Sequence, residues 1–116
     1  MEDTRTFDLI VSQLTDAQIE FSVMEHEPVR TSEEAAAIRN ISLASGAKAI
    51  IMSTGKGFVI GVMSASRKLN SNPFKKLIGS KSTKFATEEE VWELTKCLPG
   101  AVPPFGGIFN IPAYVD

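Results

Sequence analysis

Two stretches of this 116-residue sequence carry residue types suited to chemistry. The first is "AKAIIMS", which holds Lys48. On a strand, alternate residues share a face, so Lys48 stands beside Ile50 and Met52 on an apolar side. One reading is a strand-end lysine whose stem packs while its ammonium reaches water. The other is a cation at a pocket mouth, set for a phosphate or for developing negative charge. The second stretch is "GAVPPFGG", residues 100–107. Its glycines and adjacent prolines surround Phe105, and neither a helix nor a central strand can pass through it. Glycine lets a backbone approach a ligand without a Cβ in the way. Proline removes freedom in advance, so less entropy is lost on binding. Such a loop could aim an amide at a carbonyl oxygen as its charge grows. It could equally be a helix stop leading into an edge strand, with Phe105 plugging the core.

Other reactive types are scarce. His26 is the one histidine and Cys97 the one cysteine. A zinc site needs three or four ligands, so no metal and no cofactor are expected. A nucleophile needs its base and orienter together, and His26 sits between two glutamates in "MEHEPV", the pattern of a solvated surface residue. Cys97 can form no internal disulfide. Trp92 and Cys97 read as buried structural residues, and Met24, Met52 and Met63 read as core before pocket lining.

Charge is unevenly spread. Between Ala35 and Thr87 there is no Asp or Glu, yet the span holds Arg39, Lys48, Lys56, Arg67, Lys68, Lys75, Lys76, Lys81 and Lys84. If these share a face they attract a polyanion. If they point in several directions they are merely hydrated.

The elements that must position these groups follow from periodicity. "TFDLIVSQLTDAQI" has helical spacing at Phe7, Ile10, Val11 and Leu14, with Thr4 or Thr6 as cap. "EFSVMEH" reads as a strand. Thr31-x-x-Glu34 and Thr87-x-x-Glu90 are capping boxes opening two helices. "AKAIIMS" and "GFVIGVMS" read as strands joined by "TGKG", with Gly55 and Gly57 supplying positive φ. "SNPFKKLIGS" is a short helix ended by Gly79, "KSTKFAT" a brief strand, and "GIFNIPAYV" a strand interrupted at Pro112. Helices interspersed with a hairpin and short strands make an α+β domain over residues 1–116.

Composition bounds the rest. At 43% hydrophobic the chain can fill a core. Its apolar runs are too short to cross a bilayer, and its polar N-terminus does not read as a secretory signal. With a lone cysteine this favours a cytoplasmic protein with no membrane partner.

Four segments, "EHEPVRTSEEAAAIRN", "GAKAIIM", "SRKLN" and "LPGAVPPFG", follow in the order and spacing of the YbaK/aminoacyl-tRNA deacylase family. The sequence resembles that family from about His26 to Phe105. The resemblance implies a mixed, mostly antiparallel, barrel-like sheet with helices outside. It also implies hydrolysis of the ester joining a wrong amino acid to the tRNA 3′ end. Lys48 matches the family's strand lysine and Gly100 begins its Gly-x-x-x-Pro loop, which makes these two the catalytic pair. Thr31, Asn70, Ala101, Val102, Pro103, Pro104 and Phe105 become substrate-binding candidates. Arg67 and Lys68 of the "RKLN" segment, with Lys75, Lys76, Lys81 and Lys84, become tRNA contacts. No side chain looks like a nucleophile. The resemblance points instead to attack by water, assisted by the ribose hydroxyl.

The substrate class so implied is Ala-, Cys- or similar small aminoacyl-tRNA, and the partners are the tRNA acceptor end and an aminoacyl-tRNA synthetase. The family domain usually continues beyond "NIPAYVD", so this chain is expected to be C-terminally short. An exposed sheet edge there would suit a homodimer. Two other readings share the fold: a non-catalytic tRNA- or synthetase-binding module, and a small-ligand-binding protein.

Overall fold

Strand β1 (Ala47–Thr54) and strand β2 (Gly57–Ser64) form an antiparallel hairpin in register from Ala47↔Ser64 to Thr54↔Gly57. The computed structural model describes residues 5–29 and 31–116. The hairpin turn is tied by the Thr54 hydroxyl, which accepts from the Lys56 amide (3.0 Å) and donates to the Gly57 carbonyl (2.7 Å). Gly57 takes the positive φ, +116°; Gly55 does not, contrary to the reading of both glycines. The side chain of Thr54 supplies the closure that a second left-handed residue would otherwise provide.

Two short strands complete the sheet. β3 (Thr83–Phe85) pairs antiparallel with β1, and β4 (Ala113–Val115) pairs parallel with β2. The order β3-β1-β2-β4 makes a mixed, mostly antiparallel sheet of four strands. It stays open, since β3 and β4 lie at opposite edges.

The pleat divides the apolar residues between two faces. Ile51, Ile60 and Val62 pack with Val91 of helix α4 (Glu88–Thr95) and with Val102 and Ile111. Met52 and Val59 pack with Phe74 of helix α3 (Ser71–Ile78). Ile60 has no exposed surface, and such burial contributes about 1.5–3 kcal/mol. Phe74 also meets Tyr114 edge-on at 6.2 Å between centroids, tying α3 to β4. Met52 and Met63 are core, as expected, whereas Met24 is 56% exposed.

Helix ends follow their signals. Helix α2 (Ser32–Arg39) is capped by Thr31, whose hydroxyl oxygen accepts from the Glu34 amide at 3.1 Å. The Thr87 box is complete: its side chain accepts from the Glu90 amide, and the Thr87 amide donates to the Glu90 carboxylate. Thr87→Ala is expected to lower stability by about 1 kcal/mol, read as a shift in urea midpoint at constant m-value. Gly79 ends α3 at φ +67°.

Helix α1 (Arg5–Asp16) forms as expected, with Thr6 inside it, and Thr4 lies outside the described residues. Three further expectations fail. "EFSVMEH" forms no strand. Both sides of β1 and β2 are already taken by sheet neighbours, so the segment has no central ladder to join, and Phe21 and Val23 stay exposed. "GIFNIPAYV" starts as the helical turn α5 (Gly106–Phe109), closed by Asn110 in the left-handed region, and becomes β4 only after Pro112. Trp92 is 48% exposed rather than buried, with the Lys96 ammonium 5.9 Å from its ring centroid. The inward face of α4 belongs to Val91 and Thr95, and Trp92 follows Val91 by one residue, about 100° around the helix. Cys97 is half-buried against the core, as a structural residue should be.

Candidate active site

A cavity of about 560 Å³ opens at the start of β1. Its floor is the strand entrance, Gly46 to Ile50. One wall is a single face of α2. Ser32, Ala35, Ala36 and Arg39 all line the cavity, and their spacing of three, four and seven places them on one side of a helix. The extended segment from His26 to Val29 adds to this wall. The loop Gly100–Val102 also lines it. Lys48 and Gly100, far apart in sequence, therefore line the same opening.

Lys48 is half-buried, and its ammonium donates to the backbone carbonyl of Arg67. Its stem lies on an apolar strand face, and its charge sits at the cavity while anchoring the next segment. Gly100 has φ +87°, a conformation that side-chain-bearing residues rarely adopt. The Ala101 amide is spent on a turn to the Leu98 carbonyl at 2.9 Å. The Gly100 amide has no hydrogen-bond partner among the described residues. Of these two neighbouring donors, Gly100 is the one left available to a ligand.

The other candidates divide. Thr31, Ala101 and Val102 line the cavity with Lys48. The Thr31 hydroxyl is already engaged, donating to the Glu34 carboxylate at 3.1 Å as well as capping α2. Pro103, Pro104 and Phe105 lie outside the lining residues. Pro103 is buried, and Phe105 occupies the cap position of α5. Their effect on the cavity is to stiffen the chain that leaves it. Asn70, Arg67 and Lys68 line a second cavity of about 430 Å³, floored by Met63 and Phe74 and closed by Tyr114. The bond from Lys48 to the Arg67 carbonyl links the two cavities.

Lys76, Lys81 and Lys84 are exposed and Lys75 is half-buried. They lie on α3, just after it, and on β3. β3 pairs with residues 52–54, the far end of β1 from Lys48, roughly 13–20 Å away at strand rise. Arg67 and Lys68 stand at the near end, so α3 connects two cationic zones.

Sequence reasoning missed His26 and Arg39 as cavity residues. His26 is half-buried rather than solvated. Its Nε2 accepts from Arg39 Nε at 3.4 Å, and its Nδ1 lies 2.8 Å from the Glu27 carbonyl. The available signal was the helical spacing of Arg39 from Ser32 behind the capping box. No group of three or more metal-ligand types gathers among the described residues. No described helix is long and apolar enough to cross a membrane.

The model of the aminoacyl-tRNA editing domain matches residues 26–116. The chain belongs to this editing-domain family. It is 32% identical over 104 residues to the multifunctional Ser/Thr-tRNA deacylase ProXp-y of Escherichia coli (strain K12), covering 86% of this chain and 62% of that protein. It is 28% identical over 109 residues to the prolyl-tRNA editing protein ProX of Acetoanaerobium sticklandii, covering 92% and 66%. The chain thus spans less than two thirds of the length of these two editing-family relatives. Among solved structures, a candidate trans-editing enzyme for prolyl-tRNA synthetase superposes with a TM-score of 0.79 at 26% identity, covering 99% of this chain and 74% of that one. The resemblance carried by "GAKAIIM" and "LPGAVPPFG" is therefore correct at the level of family.

Proposed function

We propose that this editing domain hydrolyses the ester between a small, wrong amino acid and the 3′ end of tRNA, acting in trans on Ala-, Cys- or similar aminoacyl-tRNA. The observation that carries the reading is that Lys48 and Gly100, whose amide has no partner among the described residues, line one cavity. Water adds to the ester carbonyl, the bond to the ribose oxygen breaks, and free amino acid and tRNA leave. The ribose hydroxyl beside the ester assists the water, so no side-chain nucleophile is required. Negative charge grows on the carbonyl oxygen, where the Gly100 amide can meet it. Lys48 contributes positive potential from the floor and holds the 67–70 segment in place. Ala35 and Ala36 keep the α2 wall low, which leaves room for the aminoacyl end. The acceptor end of tRNA is the macromolecular partner, with an aminoacyl-tRNA synthetase or a second copy of the chain as further partners, in the cytoplasm.

A panel of Ala-, Cys-, Ser-, Thr- and Pro-charged tRNA tests the reading. Loss of the ester from at least one of the small-residue tRNAs, above the spontaneous rate, is the expected result. Tight tRNA binding with no turnover on any would make the protein a binding module instead.

The cationic zone along α3 supplies the second test. Lysine contacts to phosphates give affinity that falls with salt, by a slope of roughly 0.7–0.9 per phosphate. Combined alanine changes at Lys75, Lys76, Lys81 and Lys84 are expected to weaken tRNA binding and lower that slope by about three. An unchanged slope would show these lysines to be hydrated surface only.

A further inference from the structure

We infer that Arg39, oriented by His26, is a phosphate anchor of the Lys48 cavity and takes a phosphate group next to the scissile ester. The choice of ligand rests on the hydrolase reading; the anion site itself rests on geometry. His26 Nδ1 faces the Glu27 carbonyl at 2.8 Å. A carbonyl only accepts, so Nδ1 carries the proton and Nε2 presents a lone pair. Arg39 Nε donates to that lone pair at 3.4 Å. The two contacts agree on a single tautomer, and together they fix the guanidinium by its inner nitrogen.

What remains is the outer fork. Arginine has five N–H donors, and among the described residues only the one on Nε finds a partner. Arg39 has no carboxylate partner among the described residues, and no Asp or Glu is among the described residues lining the cavity. A planar fork with free donors in the same cavity lining as a second cation, Lys48, matches the geometry of a phosphate rather than of a neutral group. Ala35 and Ala36, on the same helix face, put no bulk between Arg39 and the cavity. The Lys48 ammonium already donates to the Arg67 carbonyl, so Lys48 adds field while Arg39 offers the open hydrogen bonds. A role for Arg39 confined to the C-terminal dipole of α2 would leave its contact to His26 without purpose.

The test compares adenosine 5′-monophosphate with adenosine, titrated into the full chain and followed by NMR chemical shifts. Wild type is expected to prefer the monophosphate by about tenfold or more, the scale of a charge-assisted bidentate contact. Arg39→Ala should bring the monophosphate to the adenosine level and leave adenosine unchanged. His26→Ala should lose part of the preference, and Arg39→Lys should restore only part, since it keeps the charge without the fork. Equal affinities in wild type, a preference that survives Arg39→Ala, or binding of neither compound overturns the inference. The two proposals fail separately. An Arg39-dependent preference in a protein that deacylates nothing keeps the anchor and removes the hydrolase. Turnover whose KM is indifferent to Arg39→Ala does the reverse.

Discussion

Lys48→Ala is expected to reduce the single-turnover deacylation rate by about 10²–10³, the scale for losing one preorganised electrostatic group at a growing oxyanion. Two losses combine in this variant. The cavity floor loses its ammonium, and the Arg67 carbonyl loses the donor that ties the 67–70 segment to β1. Lys48→Met separates the variant's electrostatic effect from packing, because it keeps most of the apolar stem. Both variants should fall together in rate while their urea midpoints stay close to wild type, since Lys48 lies at the entrance of β1 and outside the two buried clusters. A rate within threefold of wild type for Lys48→Met would remove the charge from the mechanism.

The second large effect is on stability. Gly106 opens α5, and the chain then folds back so that the Ile111 amide donates to the Gly106 carbonyl at 3.0 Å. A Cβ on Gly106 would collide with the Ile111 carbonyl oxygen and stand 3.0 Å from the Ala113 Cβ. The obstacle is backbone that leads directly into β4, so no side-chain rotation relieves it. Gly106→Ala is expected to cost about 3 kcal/mol, the upper part of the usual overpacking range. That corresponds to a Tm lower by roughly 10–20 °C for a domain of this size. Gly107→Ala is the matched control. A Cβ there meets nothing within 4 Å, and the change should be neutral or stabilising by up to ~1 kcal/mol. Equal melting curves for the two variants would show that the fold-back is not rigid.

Legibility in the sequence follows how local each cause is. The caps at Thr31, Thr87 and Gly79 are local hydrogen-bond or φ requirements, and each appears where its residue types stand. The β1–β2 hairpin is equally local. "EFSVMEH" has strand character, but a strand exists only with a partner, and partnership is a property of the whole sheet. "GIF" is too short for periodicity to separate a helical turn from a strand. In the site, Lys48 was legible because an ammonium on an apolar face conflicts with its surroundings. The Gly100 loop was legible because proline and glycine restrict the backbone by themselves. Arg39 and His26 were not, because neither is anomalous alone. They meet across 13 positions only when α2 turns one face toward the preceding extended segment.

The parallel pairing of β2 with β4 has a kinetic consequence. Residues 60–62 join residues 113–115, and everything between them forms a bight that includes the Gly100 turn. Closing so long a loop costs entropy before the ladder repays it. The turn therefore acquires its final shape late, when β4 docks, and loses it early, when β4 peels away. Amide exchange at Ala101, whose amide bonds to the Leu98 carbonyl at 2.9 Å, should then share its opening free energy with Ile60, whose amide bonds to the Pro112 carbonyl at 2.8 Å. Reactivity and late folding would be governed by one and the same latch.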